Sequence, residues 1–135
     1  MLKELKIKNF ALIDELSVSF SRGMSCITGE TGAGKSILLG GLSLVLGKRA
    51  DITLLKDLSK KCVIEAIFYI KNYDLKKFFS DNNLDYFDET ILRREVIPNG
   101  KSRAFINDTP VKVNMLENLS MNLIDIHSQN EKQLI

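Results

Sequence analysis

The glycine-rich run Gly29-Glu30-Thr31-Gly32-Ala33-Gly34-Lys35-Ser36 constrains this chain more than any other sequence feature. Its three glycines allow backbone conformations that a Cβ would forbid, so successive N–H groups can turn toward one anion. Residues 24–28 before the run have a strand-like pattern, and the apolar residues 37–46 after it predict a helix. The N-terminus of that helix adds free N–H groups at the same place. A strand–loop–helix of this kind predicts a phosphate-binding loop.

Two polar side chains of the run suit a nucleoside triphosphate. Lys35 supplies a positive charge for the β- and γ-phosphates, and the Ser36 hydroxyl can coordinate the Mg²⁺ that bridges them. We therefore predict that residues 29–36 bind ATP, or less readily GTP, together with Mg²⁺. A glycine-rich turn that binds nothing is the weaker alternative, because a chance match in so short a chain has a likelihood on the order of one in a hundred.

Composition is that of one ordinary globular domain, which we expect to span residues 1–135. The chain is 44% hydrophobic and 27% charged, and no run approaches the roughly 18 apolar residues of a membrane span. We expect a cytoplasmic protein. The net charge of +2, from 19 basic and 17 acidic residues, does not decide for or against nucleic acid. Cys26 and Cys62 lie in apolar runs, which predicts two buried free thiols.

Alternation of apolar and polar residues predicts antiparallel strands on both sides of the loop–helix unit. The predicted strands are residues 5–8, 16–20, 61–70, 90–97 and 101–107. The helix after the loop is apolar on nearly every side, so we expect it to be covered all round. Gly47 is placed to end that helix as a C-terminal cap.

Two turns and a final helix–strand pair are predicted in the second half. Asn99-Gly100 favours a hairpin with a type I′ turn, and Asn107-Asp108 favours a second tight turn. Asn114 and Glu117 have the spacing of a capping box, which predicts the start of a helix. The mostly apolar run Leu123-Ile124-Asp125-Ile126 predicts a last buried strand.

Five segments together resemble a known family. They are residues 7–13, 23–37, 92–94, 100–111 and 125–129, and they resemble, in order and spacing, the start of the RecN family of bacterial DNA-repair proteins. That family is related to the SMC (structural maintenance of chromosomes) ATPases. The residues between Gly29 and Lys35 are Glu30-Thr31-Gly32-Ala33-Gly34. They are more similar to the corresponding residues of the RecN family than to those of SMC or RecF proteins.

The resemblance implies an α/β fold, a P-loop NTPase of the ATP-binding-cassette or SMC head type. This chain would be its N-terminal lobe, with antiparallel strands and a P-loop helix. It also implies that Gln129 reaches toward the Mg²⁺ and the attacking water. Ser128 and Asn130 depart from the glycine and histidine expected in many relatives. For His127 a hydrogen-bonded structural role is favoured over general-base catalysis.

The resemblance further implies an ATPase that acts in recombinational repair of double-strand breaks. Its expected partners are DNA, the C-terminal lobe of the same head and a second copy of the protein, in the cytoplasm at the nucleoid. Residues 1–135 show no acidic Walker B strand, no signature motif and no heptad tract. We therefore expect this chain to hold half of an ATPase site and to hydrolyse ATP negligibly by itself. A small P-loop kinase is the alternative, which the antiparallel strand pattern disfavours.

Four positive charges lie on the predicted hairpin, at Arg93, Arg94, Lys101 and Arg103. Strand alternation places Arg93 and Arg94 on opposite faces, so they cannot form one continuous patch. Two interpretations stay open at this point. The charges are either solvated, or they contact DNA phosphates or a nucleotide across a dimer.

Overall fold

The computed structural model describes residues 1–20, 32–50 and 52–127; the side chains of residues 32–35, 52 and 124–127 are outside the description. The elements are, in chain order, β1 (Leu2–Phe10), β2 (Ile13–Ser19), α1 (Gly32–Val45), a 3₁₀ turn (Ile52–Leu54), β3 (Cys62–Tyr69), a second 3₁₀ turn (Lys71–Tyr73), α2 (Lys76–Asp81), β4 (Glu89–Val96), β5 (Ser102–Ile106), β6 (Thr109–Val111) and α3 (Val113–His127). The strand predicted at residues 24–28 lies outside the described residues.

The six described strands form one sheet in the order β2-β1-β3-β4-β5-β6. Each neighbouring pair is antiparallel, and consecutive elements such as β4 and β5 pair as hairpins. Helices α1 and α3 pack on one face of this sheet. The predicted antiparallel strands are therefore confirmed, and the sheet is the platform on which the helix after the glycine run rests.

Period-two burial in the strands builds the core on the helix side. In β3, Cys62, Ile64, Ala66 and Phe68 are buried while the residues between them are half-buried. From α1, the side chains of Leu38, Leu42, Leu44 and Val45 complete the same core. Leu39 of α1 remains 41% exposed, so the expected all-round cover of this helix is wrong at that position.

The turn at Asn99-Gly100 does not have the predicted conformation. At Asn99-Gly100 only the glycine has positive φ, at +93°, and Gly100 N–H donates to the Ile97 carbonyl at 2.9 Å. The predicted type I′ turn is therefore wrong here. Pro98 fixes φ near −65° at the first turn position, which selects a type I turn followed by a bulge at the glycine.

The second predicted tight turn is confirmed, and it has the type I′ geometry. Asn107 and Asp108 both have positive φ, 49° and 68°, and the flanking residues Ile106 and Thr109 pair directly. Short Asn and Asp side chains tolerate this conformation because they bond locally to the backbone. The Asn107 side-chain oxygen accepts from the Ile91 N–H at 2.8 Å, which ties the turn to β4.

Helix α3 replaces the predicted last strand. Its start near Asn114 agrees with the prediction, but the helix continues through His127, so the strand at residues 123–126 is wrong. Leu116, Leu119 and Leu123 are buried on one side of α3, which is helical spacing. Four residues, three of them apolar, do not distinguish a strand from the end of a helix. The helical spacing of the three buried leucines does.

Gly47 ends α1 as predicted. Its N–H donates to the Leu44 carbonyl and the Lys48 N–H donates to the Ser43 carbonyl, both at 3.1 Å. With φ of +109° at Gly47, this is the hydrogen-bond pattern of a Schellman cap. A Cβ built on Gly47 would lie 2.5 Å from Cγ of Glu117, so the absent side chain also lets α3 approach.

Substitution of Gly47 tests whether the position needs both a positive φ and the absence of a side chain next to Glu117. Gly47→Ala should lower the free energy of unfolding by about 3–4 kcal/mol, because strained backbone and steric overlap add. Gly100→Ala is the matched control, with φ of +93° but open space around its Cβ, and should cost only about 1–2 kcal/mol. Urea denaturation of the two variants measures the difference, and equal losses would contradict the packing role.

The predicted free thiol at Cys62 is confirmed, while Cys26 lies outside the described residues. Cys62 is a free cysteine with no exposed surface. Burial raises the pKa of its thiol to about 11. The thiolate is the reactive form, so the folded protein should protect this cysteine at neutral pH.

In a Cys26→Ser background, Cys62 should react with a disulfide reagent at pH 8 only after guanidinium unfolding. The unfolded thiol ionises near 9.0 and the folded one near 11. Unfolded chains therefore lose the proton first, and stability should fall as pH rises from 9 toward 11. Labelling of the native protein at the rate of a free thiol would contradict the burial.

Candidate nucleotide site

The structure places the second half of the glycine run at the start of a helix. Helix α1 begins at Gly32, so residues 32–36 form its first turn; Gly29, Glu30 and Thr31 lie outside the described residues. This first turn contains no acidic residue, and Ser36 is exposed. A helix N-terminus with no carboxylate in its first turn attracts an anion, since no acidic side chain of that turn offsets the helix dipole.

The other predicted metal contact cannot be placed beside Ser36. Gln129 lies outside the described residues, two positions after the end of α3 at His127. The part of the chain described here contains no group of three or more His, Cys, Asp or Glu side chains that could hold a metal ion. Gln129 as a metal contact and water-positioning residue stays a prediction.

Helix α1 crosses the sheet along one row of paired residues. Ile7 pairs with Ile64, and Ile64 pairs with Arg94 on the next strand. A Cβ on Gly41 would lie 2.9 Å from Cδ1 of Ile7, so only a glycine lets the helix backbone come this close. Three residues on, the Leu44 carbonyl meets the side chain of Arg94. The helix therefore runs from β1 toward β4 across the strands.

Arg94 is a support of this helix that sequence reasoning missed. Its side chain is buried with 2% exposure. Nη1 donates to the carbonyls of Leu44 and Lys48, both at 2.8 Å, and Nη2 donates to Ser102 Oγ at 3.1 Å. Burial lowers the pKa of Arg94 and the charge of Glu117 opposes that shift. The guanidinium caps the carboxyl end of α1, where a cation suits the helix dipole.

The two sequence interpretations of the hairpin charges are therefore both wrong for Arg94. It is neither solvated nor free to contact DNA. The signal was present in the alternation itself, because Leu92 and Val96 share its strand face and both are fully buried. An arginine between two core positions faces the core, and the open carbonyls at a helix end are the partners that it requires.

Arg93 lies on the opposite, outer face, as the alternation predicted. Its guanidinium is 3.1 Å from Asp108, 3.4 Å from Glu95 and 3.6 Å from Glu65. It also stacks over the Phe105 ring, with Cζ 4.2 Å from the centroid. With three carboxylates around it, Arg93 is a cross-strand link and has little positive potential to offer a phosphate.

The outer face as a whole is balanced in charge. A groove of about 680 Å³ runs across it. The charged residues that line it are Glu4, Glu15, Glu65 and Glu95 against Lys6, Lys8, Lys61 and Arg93. Four carboxylates beside four cations do not produce the positive surface that nucleic acid requires. Lys101 and Arg103 lie toward the hairpin end and are exposed, so they remain available.

Asn9 is a second support that the sequence did not reveal. It is buried at 8% exposure and has φ of +54° at the end of β1. Its Nδ2 donates to the carbonyls of Asp57 and Lys60 at 3.0 and 2.9 Å, and its Oδ1 accepts from the Asp57 N–H at 2.6 Å. One side chain thus holds residues 57–60 against the end of β1.

Comparison with known proteins agrees with this architecture. A family model described as an AAA domain matches residues 4–135. The chain belongs to the AAA domain family. Among curated proteins it is similar to DNA repair protein RecN of Vibrio cholerae, at 42% identity over 134 residues, which cover 98% of this chain and 24% of that protein. It is also similar to RecN of Bacillus subtilis, at 39% identity over all of this chain and 24% of that protein.

A solved structure of an SMC ATPase has a similar fold. Its TM-score is 0.70 at 21% identity, over 91% of this chain and 79% of that chain. The predicted α/β fold of an SMC-type head lobe and the predicted resemblance to RecN are both confirmed. This AAA domain chain spans about a quarter of the length of the curated RecN relatives. The kinase alternative has no support in these comparisons.

No helix in the described ranges is long and apolar enough to span a membrane.

Proposed function

We propose that residues 29–36 of this chain bind Mg-ATP and form one half of an ATPase site. The observation that carries the proposal is the start of α1 inside the glycine run, with no carboxylate in its first turn. Backbone N–H groups of that turn would hold the phosphates, together with the side chain of Lys35. The exposed hydroxyl of Ser36 is the group suited to Mg²⁺. The bound metal would neutralise charge that develops on the phosphates during transfer.

The rest of the site would come from Gln129 of this chain and from segments outside it. Gln129 is the proposed second contact to Mg²⁺ and to the attacking water. The carboxylates that activate water and the signature helix would come from the C-terminal lobe of a head and from a second copy. The solved SMC relative is described in terms of ATP-driven dimerization and DNA-stimulated activation, which supports a dimer as the working form.

For the whole protein we propose ATP-dependent repair of DNA double-strand breaks by recombination. The support is the likeness to proteins named DNA repair protein RecN. Residues 1–135 would be a single N-terminal lobe of the head, in a cytoplasmic protein that works at the nucleoid. Because hydrolysis needs both halves of the site, this chain alone should bind nucleotide without turning it over at an appreciable rate.

Lys35→Ala should weaken binding of Mg-ATP about tenfold to a hundredfold, because one charge-assisted hydrogen bond to phosphate is worth about 1.5–3 kcal/mol. Titration of the full-length protein with a fluorescent ATP analogue measures the dissociation constant. Lys77→Ala is the matched control, since that lysine side chain is 85% exposed and pairs with its helix neighbour Asp81.

If Lys35→Ala and Lys77→Ala bound Mg-ATP equally well, residues 29–36 would not be the nucleotide site. Omission of Mg²⁺ provides an independent readout. Ser36→Ala should lose most of the metal dependence of binding, since the proposed hydroxyl ligand is gone.

DNA contact by the hairpin is tested separately. Arg103 keeps 59% of its side chain exposed, and its nearest recorded carboxylate oxygen, on Glu95, is 3.8 Å away. Arg103→Ala should weaken DNA binding several-fold at low salt and flatten the dependence of affinity on salt, as loss of one phosphate contact does. Anisotropy titrations at several salt concentrations measure both, with Lys77→Ala as control. Unchanged slopes would exclude Arg103 from the interface.

A further inference from the structure

The buried guanidinium of Arg94 takes no part in the proposed phosphate site, yet it binds the helix that carries that site. It contacts α1 at Leu44 and the segment beyond the helix at Lys48, and it contacts β5 at Ser102. Its Nε is buried without a hydrogen-bond partner in the described part of the chain. Burying a charge is costly, and here the three hydrogen bonds to α1, to the segment after it and to β5 offset that cost.

The packing of α1 on the sheet explains why the helix needs a directional restraint on its position. Gly40 and Gly41 face Phe10 and Ile7, and two adjacent glycines offer no side chains to interdigitate with the strands. Leu38 and Leu42 pack beside them, but apolar contacts are non-directional and permit small shifts. The two 2.8 Å bonds from Arg94 Nη1 fix atoms to within a few tenths of an ångström.

A helix transmits such a restraint along its axis. Leu44 lies nine residues after Lys35, about 14 Å at 1.5 Å per residue. A stiff helix held at its carboxyl end cannot slide, so its N-terminal N–H groups keep their positions. Phosphate cradles need their donors within about 0.5 Å of the productive geometry.

We infer that Arg94 is a positioning residue for the nucleotide site, one that sets the axial position of α1 on the sheet. This inference rests on the proposed function, because it assumes that residues 29–36 bind Mg-ATP. The guanidinium itself touches no phosphate. It acts through the helix, so its loss should weaken the hold on the triphosphate while the protein stays folded.

The test compares variants in the full-length protein at a temperature where circular dichroism shows each of them folded. Arg94→Met removes the hydrogen bonds and keeps much of the volume, and it should weaken Mg-ATP binding about tenfold. Phe79→Leu is the matched control, because Phe79 is fully buried and packs against Phe78 and Tyr86. It should lower the melting temperature and leave affinity within about twofold.

Arg94→Met affinity within twofold of the unchanged protein would overturn the inference, and so would equal losses in Arg94→Met and Phe79→Leu. If Arg94→Met does not fold, Arg94→Lys decides. Lysine keeps the charge but cannot bridge two carbonyls and Ser102 in one plane. It should bind Mg-ATP about threefold to tenfold more weakly, and unchanged affinity would overturn the inference.

Failure of the proposed function has a different signature. The unchanged protein would then show no Mg-ATP binding, or binding that Lys35→Ala leaves intact, and both proposals would fall. Binding that needs Lys35 but ignores Arg94 overturns the positioning role alone.

Discussion

The close approach of α1 to the antiparallel sheet is the contact on which the rest of this lobe depends. A Cβ at Gly41 would overlap Ile7, so the helix backbone itself lies on the strands. This brings the Leu44 carbonyl within reach of Arg94, and it leaves the carboxyl end of α1 against α3 through Gly47. A bulkier helix would stand farther from the sheet, and the guanidinium would then be a buried charge without partners.

Two adjacent arginines of β4 have different roles because strand geometry places their side chains on opposite faces of the sheet. Arg93 and Arg94 differ only in the side of β4 that they face. One enters a network with Glu65, Glu95 and Asp108 on the outer surface, and the other caps a helix in the core. Neither has an unpaired charge to offer a DNA phosphate. Among the basic residues of β4, β5 and the turn between them, only Lys101 and Arg103 at the hairpin end stay exposed.

Sequence patterns predicted the strands because burial on one sheet face imposes a period of two. They predicted α1 because an apolar run follows the glycine-rich loop. The predictions failed where the same short run of residues is compatible with two different local structures. Pro98 overrode the preference of Asn99-Gly100, and the apolar end of α3 read equally well as a strand. The roles of Asn9 and Arg94 could not be predicted in detail, because their partners are backbone carbonyls 46 to 51 residues away. Backbone acceptors have no sequence signature.

The joint between α1 and α3 connects two regions proposed to contact the nucleotide. Ser120 Oγ donates to the Leu46 carbonyl at 2.9 Å, and Gly47 leaves no gap beside Glu117. The middle of α3 is thereby joined to the end of α1, and Gln129 follows α3 in the sequence. A shift of one helix should move the other, because the Ser120 hydrogen bond and the close packing of Gly47 on Glu117 join them. The first turn of α1, which is proposed to bind phosphate, and the C-terminal turns of α3 would then move as one unit.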